Sequence, residues 1–202
     1  MQYTQVVAAS SIRAQAPLEG SDEALVAQIA QRDKQALQSL YARHHVRVYR
    51  FALRFLNDEA AAEDTVSEVF IDVWRQAERF EGRSQVTTWL LAIARNKALS
   101  VLRRRSAEEL DDEVAEFIED PSDNPEIAMQ KTQRASFLQD CLTQLSPAHR
   151  EIVDLVYYHE KTVEEVAEII DVPANTVKTR MFYARKRIGE LMAAKGLNRA
   201  HL

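Results

Sequence analysis

Apolar residues recur along this chain at alternating spacings of three and four, the period of an α-helix with one buried face. Leu37, Leu40, Tyr41, Val48, Phe51 and Phe55 mark one such face. Asp33 stands where a carboxylate can cap that helix, and "LND" should end it. Asp58 is placed to cap a second helix running to about Ala77. Its apolar face is Val66, Val69, Phe70, Val73 and Trp74; Glu63, Asp64, Ser67, Glu68 and Asp72 form a polar flank, suited to a basic partner or simply to solvent. A loop around Gly82 leads into a third helix, with Trp89, Leu90 and Ile93 inward and Arg95, Lys97 and the Arg103 to Arg105 run outward.

The C-terminal third repeats the logic on a smaller scale. Ser146-Pro147 is a cap followed by proline at the first helical position, where a missing N–H costs nothing, and predicts a helix to about Tyr158. Thr162 and Glu165 have the spacing of a capping box and start a short helix ending near Ile170. "DVPANT" makes a turn, with Asp171 where glycine is common and Asn175 or Thr176 as the next cap. In the last helix Val177, Met181, Ala184, Ile188 and Leu191 share a core face, while Lys178, Phe182 and Arg185 form an outward stripe beside Thr179, Lys186 and Arg187. A large aromatic among cations suits a helix-turn-helix whose second helix enters the DNA major groove, where Arg and Lys meet guanine acceptors and Phe meets a thymine methyl. The plainer reading is an amphipathic hairpin with a solvated basic face.

With 4 Gly, 5 Pro and no alternating β-branched run among 202 residues, the expected fold is all-α, in two small helical domains. The formal net charge of −5 is unevenly spread. Residues 37–105 carry a net +4, whereas 106–133 hold ten acidic groups against one basic. That acidic stretch, with two prolines, reads as a linker. The expected boundaries are therefore a tail at 1–20, a first domain at 21–105, a linker at 106–132, a second domain at 133–195 and a tail at 196–202.

The lone Cys141, set among Phe137, Leu138, Leu142 and Leu145, is expected to be a small buried hydrophobe. His44 and His45 are adjacent and so point to different sides of a helix; no i, i+4 histidine pair or cysteine cluster offers metal-ligand spacing. No metal, cofactor or catalysis is expected. The chain shows no apolar run long enough to span a bilayer and no leader pattern at its start, so no membrane insertion and a cytoplasmic location are expected. Cations interleaved with aromatics between 79 and 105 suit single-stranded nucleic acid, although Trp89 is equally placed for a core.

Taken together, "AAEDTVSEVFIDVW", "FEGRSQVTTWLLAIARNKAL", an acidic linker and "LSPAHREIVDLVYYHEKTVEEVAEIIDVPANTVKTRMFYARKRI" resemble the extracytoplasmic-function (ECF) sigma factors of the sigma-70 superfamily, across roughly residues 37–191. The resemblance implies a region 2 bundle and a region 4 helix-turn-helix, in a subunit that gives RNA polymerase promoter specificity. By similarity, Glu63, Asp64, Glu68, Val69 and Phe70 dock on the β′ clamp. Phe80, Arg83, Ser84, Gln85, Trp89, Arg95, Asn96, Lys97, Arg103 and Arg104 melt and read the minus-10 element. Thr176, Lys178, Thr179, Arg180, Phe182, Arg185 and Lys186 read the minus-35 element. The implied partners are core RNA polymerase (β′ clamp and β flap), promoter DNA and an anti-sigma factor. The alternative is a sigma-like decoy that binds an anti-sigma factor without initiating transcription. Two positions depart from the family pattern: Ser100 stands where Asp is frequent, and "EDTVS" replaces the commoner "EDLVQ".

Overall fold

Helix caps and apolar stripes account for most of the architecture. A computed structural model describes residues 20–109, 141–142 and 144–194. Ser21, which accepts a bond from the Ala24 N–H, opens α1 (Asp22–Ala30), an element the sequence reading did not anticipate. It buries Leu25, Val26 and Ile29. Asp33 caps α2 (Lys34–Leu56) through the N–H groups of Gln35 and Ala36, as its position suggested, and Asn57 ends that helix in the left-handed conformation that asparagine tolerates. Asp58 caps α3 (Glu59–Gln76). The Ala61 N–H, and after it the Arg105 guanidinium, hold the Asp58 carboxyl below its usual range.

A single 3₁₀ turn (Ala77–Arg79) and the Gly82 loop, with glycine at a φ of 67° in the left-handed region that it adopts without strain, lead into α4 (Val86–Glu109). The helix passes the expected domain end at 105, since residues 106–109 are helical. The four helices pack as a bundle with α2 at the centre, contacting α1, α3 and α4. Asp22 clasps α1 to α2 through Arg43 at 2.9 Å and His44 at 2.6 Å.

The second unit contains α5 (Pro147–Val153), capped by Ser146 and continued by a π-helical turn over Asp154–Tyr158. Thr162 and Glu165 form the expected capping box at the start of α6 (Val163–Ile170): the Glu165 N–H donates to Thr162 Oγ1, and the Thr162 N–H donates to Glu165 Oε2. Asp171 closes α6 at a φ of 53°, the left-handed position that glycine would fill without strain. The next helix, α7 (Ala174–Ala194), begins ahead of both expected caps, Asn175 and Thr176, since Pro173 supplies the fixed φ of helix entry and its carbonyl accepts from the Thr176 N–H. Cys141 is buried, as expected.

Among the described residues there is no strand and no helix long and apolar enough to cross a membrane. Most of the linker expected at 106–132 and both expected tails, apart from Gly20, lie outside the described residues. The buried apolar residues of both units form one contiguous cluster, with α4 packed against α6.

Candidate nucleic-acid interface

The outward stripe of α7 is present as its periodicity implied. Val177, Met181 and Ala184 are buried against α5 and α6, which turns Lys178, Thr179, Phe182, Arg185 and Lys186 to the surface; Thr176 and Arg180 are half-buried. Phe182 is 63% exposed beside Tyr183, an arrangement that costs apolar hydration and implies a partner surface. Tyr157 was missing from the expected set. Its hydroxyl accepts from Arg185 Nε at 3.1 Å and its ring lies under the same guanidinium, which fixes where that cation points.

In the first unit, the loop residues Arg83 and Gln85 are exposed and Ser84 is half-buried. Phe80 and Trp89 pack ring against ring at 5.0 Å, forming a half-buried aromatic corner at the start of α4. Asn96, Arg103 and Arg104 are exposed. Two other expected members are not on the outer side of α4. Lys97 turns toward α3, where it meets Asp72 at 2.7 Å and Glu68 at 3.5 Å; the hydrogen bond to Asp72 holds its ammonium above the usual range against the effect of burial. Arg95 turns toward the second unit and meets Glu151 at 2.5 Å. Periodicity gives the face of a helix, but a long cationic side chain swings to the nearest carboxylate.

The polar flank of α3 divides similarly. Glu63 and Asp64 are exposed and Glu68 half-buried, whereas Val69 and Phe70 are buried. In the departing "EDTVS" segment Thr65 is buried and its hydroxyl donates to the Ala61 carbonyl, while Ser67 is exposed. Ser100 does the same with the Asn96 carbonyl and accepts from Arg103. Beside this flank lies an apolar groove of about 560 Å³ between α2 and α3, lined by Leu37, Tyr41, Phe70, Ile71 and Trp74 among others. Tyr41, on the apolar face expected of α2, and Ile71, outside the face expected of α3, are exposed large hydrophobics there.

Lys161 was not anticipated either. Its ammonium is buried where α6 meets the start of α4, within reach of Thr87, Thr88, Gln85 and Glu165. Burial by itself would raise the Glu165 carboxyl; bonds from Lys161, the Thr162 N–H and the Thr88 hydroxyl, with the Lys161 charge, outweigh it and hold the group at about 2. A depressed carboxylate contributes stability above its ordinary value of 4.5, and loses it as pH falls toward 2. Glu165→Gln should therefore flatten the acid limb of the unfolding midpoint between these pH values, measured by circular dichroism. An acid limb equal to wild type would contradict the assignment. Among the described residues no cluster of His, Cys, Asp and Glu is arranged to hold a metal.

Residues 40–108 match the family described as Sigma-70 region 2, and residues 138–188 match Sigma-70, region 4. The chain is 30% identical over 162 residues to the ECF RNA polymerase sigma factor SigK of Mycolicibacterium vanbaalenii, covering 79% of this chain and 83% of that protein. It is 29% identical over 180 residues to the RNA polymerase sigma-H factor of Pseudomonas aeruginosa, covering 85% and 93% respectively. Among solved structures it is similar to the sigma factor RpoE in its complex with the anti-sigma factor NepR from Bartonella quintana, with a TM-score of 0.65, 26% identity and coverage of 77% of this chain and 96% of that one. In fold it also matches CnrH in complex with the cytosolic domain of CnrY, with a TM-score of 0.63, 22% identity and coverage of 86% and 97%.

Proposed function

Since this chain belongs to the ECF sigma factors of the sigma-70 family, we propose that it binds core RNA polymerase, reads minus-35 and minus-10 promoter elements, and helps to open the duplex for a signal-responsive set of genes. The observation that carries this reading is α7, which buries one stripe in a helix-turn-helix and presents Lys178, Thr179, Phe182 and Arg185 outward. Such a helix matches the width of the major groove and its acceptor-rich guanine edges.

The remaining roles follow from the arrangement. The groove between α2 and α3, flanked by Glu63, Asp64 and Glu68, supplies apolar contact and acidic complement for the β′ clamp, and the second unit engages the β flap. The Phe80–Trp89 corner with Arg83, Gln85 and Asn96 receives unstacked bases of the minus-10 strand, whose opening costs energy that stacking partly returns. The chain binds and positions; bond-making chemistry belongs to the polymerase, and the site of action is the cytoplasm. An acidic chain avoids tight non-specific binding to DNA phosphates, leaving affinity to the polymerase complex. Its resemblance to a sigma factor crystallised with an anti-sigma factor supports an inhibitory partner of that class.

The test is transcription in vitro with purified core polymerase and a pool of randomised promoter DNA. Transcripts that share minus-35 and minus-10 sequences are expected. Polymerase binding without any open promoter would refute the initiating role and leave the decoy reading.

A further inference from the structure

Arg32 holds a backbone conformation that a side chain does not favour. It follows α1 with a φ of 69°, in the left-handed region where a Cβ crowds the chain. Its own N–H donates to the Ile29 carbonyl at 2.9 Å and that of Asp33 to the Gln28 carbonyl at 3.1 Å, the paired closure of a helix end that glycine makes without strain. A residue kept in such a conformation needs a reason in its side chain. Here Nη1 donates to the Trp74 carbonyl, in the last turn of α3, at 2.8 Å, and Nη2 donates to Glu78 Oε1 at 3.2 Å. The guanidinium also lies 5.6 Å from the centre of the Trp74 ring. The ion pair with Glu78 stands largely in solvent, with side-chain exposures of 52% and 63%, so it contributes little to folding. What these contacts fix is Trp74. Its half-buried indole lines the apolar groove between α2 and α3, together with Leu37, Tyr41, Phe70 and Ile71.

We propose that Arg32 is a positioning residue for polymerase docking: it holds the Trp74 indole as a preformed wall of the groove, so that an apolar side chain of the clamp enters a cleft already shaped for it. The inference rests on the reading of this groove as the docking face for the β′ clamp. A wall held in place before contact loses less side-chain freedom on binding than one ordered at that moment. Arginine suits the task, because its planar fork bonds a carbonyl and a carboxylate at once and lies against an aromatic ring. Charge alone predicts the opposite sign for its loss, since a cation near the docking face repels the basic partner that the acidic flank suits.

The experiment uses the full chain with 5-fluorotryptophan at Trp74 and Trp89, the Trp74 fluorine signal being assigned with Trp74→Phe. Arg32→Gly removes the fork and relieves the left-handed backbone, so the unfolding midpoint should stay at or above that of wild type. The Trp74 signal should move toward that of the free amino acid, and affinity for purified core polymerase should fall about fivefold. Trp74→Ala should also weaken binding, and adding Arg32→Gly to it should change nothing further, because Arg32 acts through the indole. An unchanged Trp74 signal overturns the proposal, as does core affinity equal to or tighter than wild type, or an equal loss with and without the indole. A midpoint well below wild type would make Arg32 a folding residue and overturn it too. Wild type that fails to bind core defeats the docking reading instead, and the fluorine signal of Arg32→Gly then decides by itself whether Arg32 holds the indole.

Discussion

Lys178→Ala combined with Arg185→Ala lowers promoter-specific transcription by about 100-fold at limiting protein, through loss of roughly 1–3 kcal/mol at each base or phosphate contact. Both residues are exposed on α7, so the change leaves the core of the helix-turn-helix intact. Alanine favours helix at both positions. The loss should appear in promoter binding, with a shallower dependence on salt because cationic contacts to DNA have gone. Binding to core polymerase through the first unit should remain, which a pull-down with purified core checks. Arg185→Ala tested singly should be partly reproduced by Tyr157→Phe, which removes the hydroxyl that orients the guanidinium but keeps the ring beneath it. Full activity in the double variant, on the same promoters, would refute α7 as the reading helix.

Phe51→Ala should destabilise the folded chain by about 3–5 kcal/mol, the cost of removing a fully buried aromatic ring and leaving a cavity. For a chain of this size that corresponds to a fall of roughly 10 °C in the unfolding midpoint. Phe51 lies inside α2, against Phe55, and meets the His159 ring of the second unit edge-on at 5.6 Å. The loss is therefore expected to spread to both units, with thermal unfolding followed by circular dichroism. Phe182→Ala provides the contrast. That ring is exposed, so its removal should leave the midpoint within about 0.5 kcal/mol of wild type while weakening promoter binding. Two phenylalanines on amphipathic helices thus have opposite roles, and exchanging these outcomes would overturn the assignment of both faces.

The difference between them shows where sequence patterns suffice. Phe182 sits out of phase with Val177, Met181 and Ala184, and the helical period alone turns it away from the core. Asp33, Asp58, Ser146 and Thr162 were likewise legible as caps, because a cap is satisfied within three residues of itself. The helix α1 escaped notice although Ser21, Leu25, Val26 and Ile29 carry the same signals, for nine residues give the period little room to repeat. Tyr41 is exposed although it shares an apolar stripe with Leu37, Leu40 and Val48, because the groove that it borders with Ile71 lies between two helices and not within one.

By itself, the sequence determined the all-helical class, the caps at Asp33, Asp58, Ser146 and Thr162, and the outward stripe of α7, since each depends on interactions spanning a turn or two of one helix. Tertiary structure decided the fates of the cations. Arg95 met Glu151 across 56 positions, Lys161 met Thr88 across 73, and Lys97 turned inward to α3. Long charged side chains reach in several directions at little cost, so the choice among them falls to whichever carboxylate the packing of distant helices brings within range.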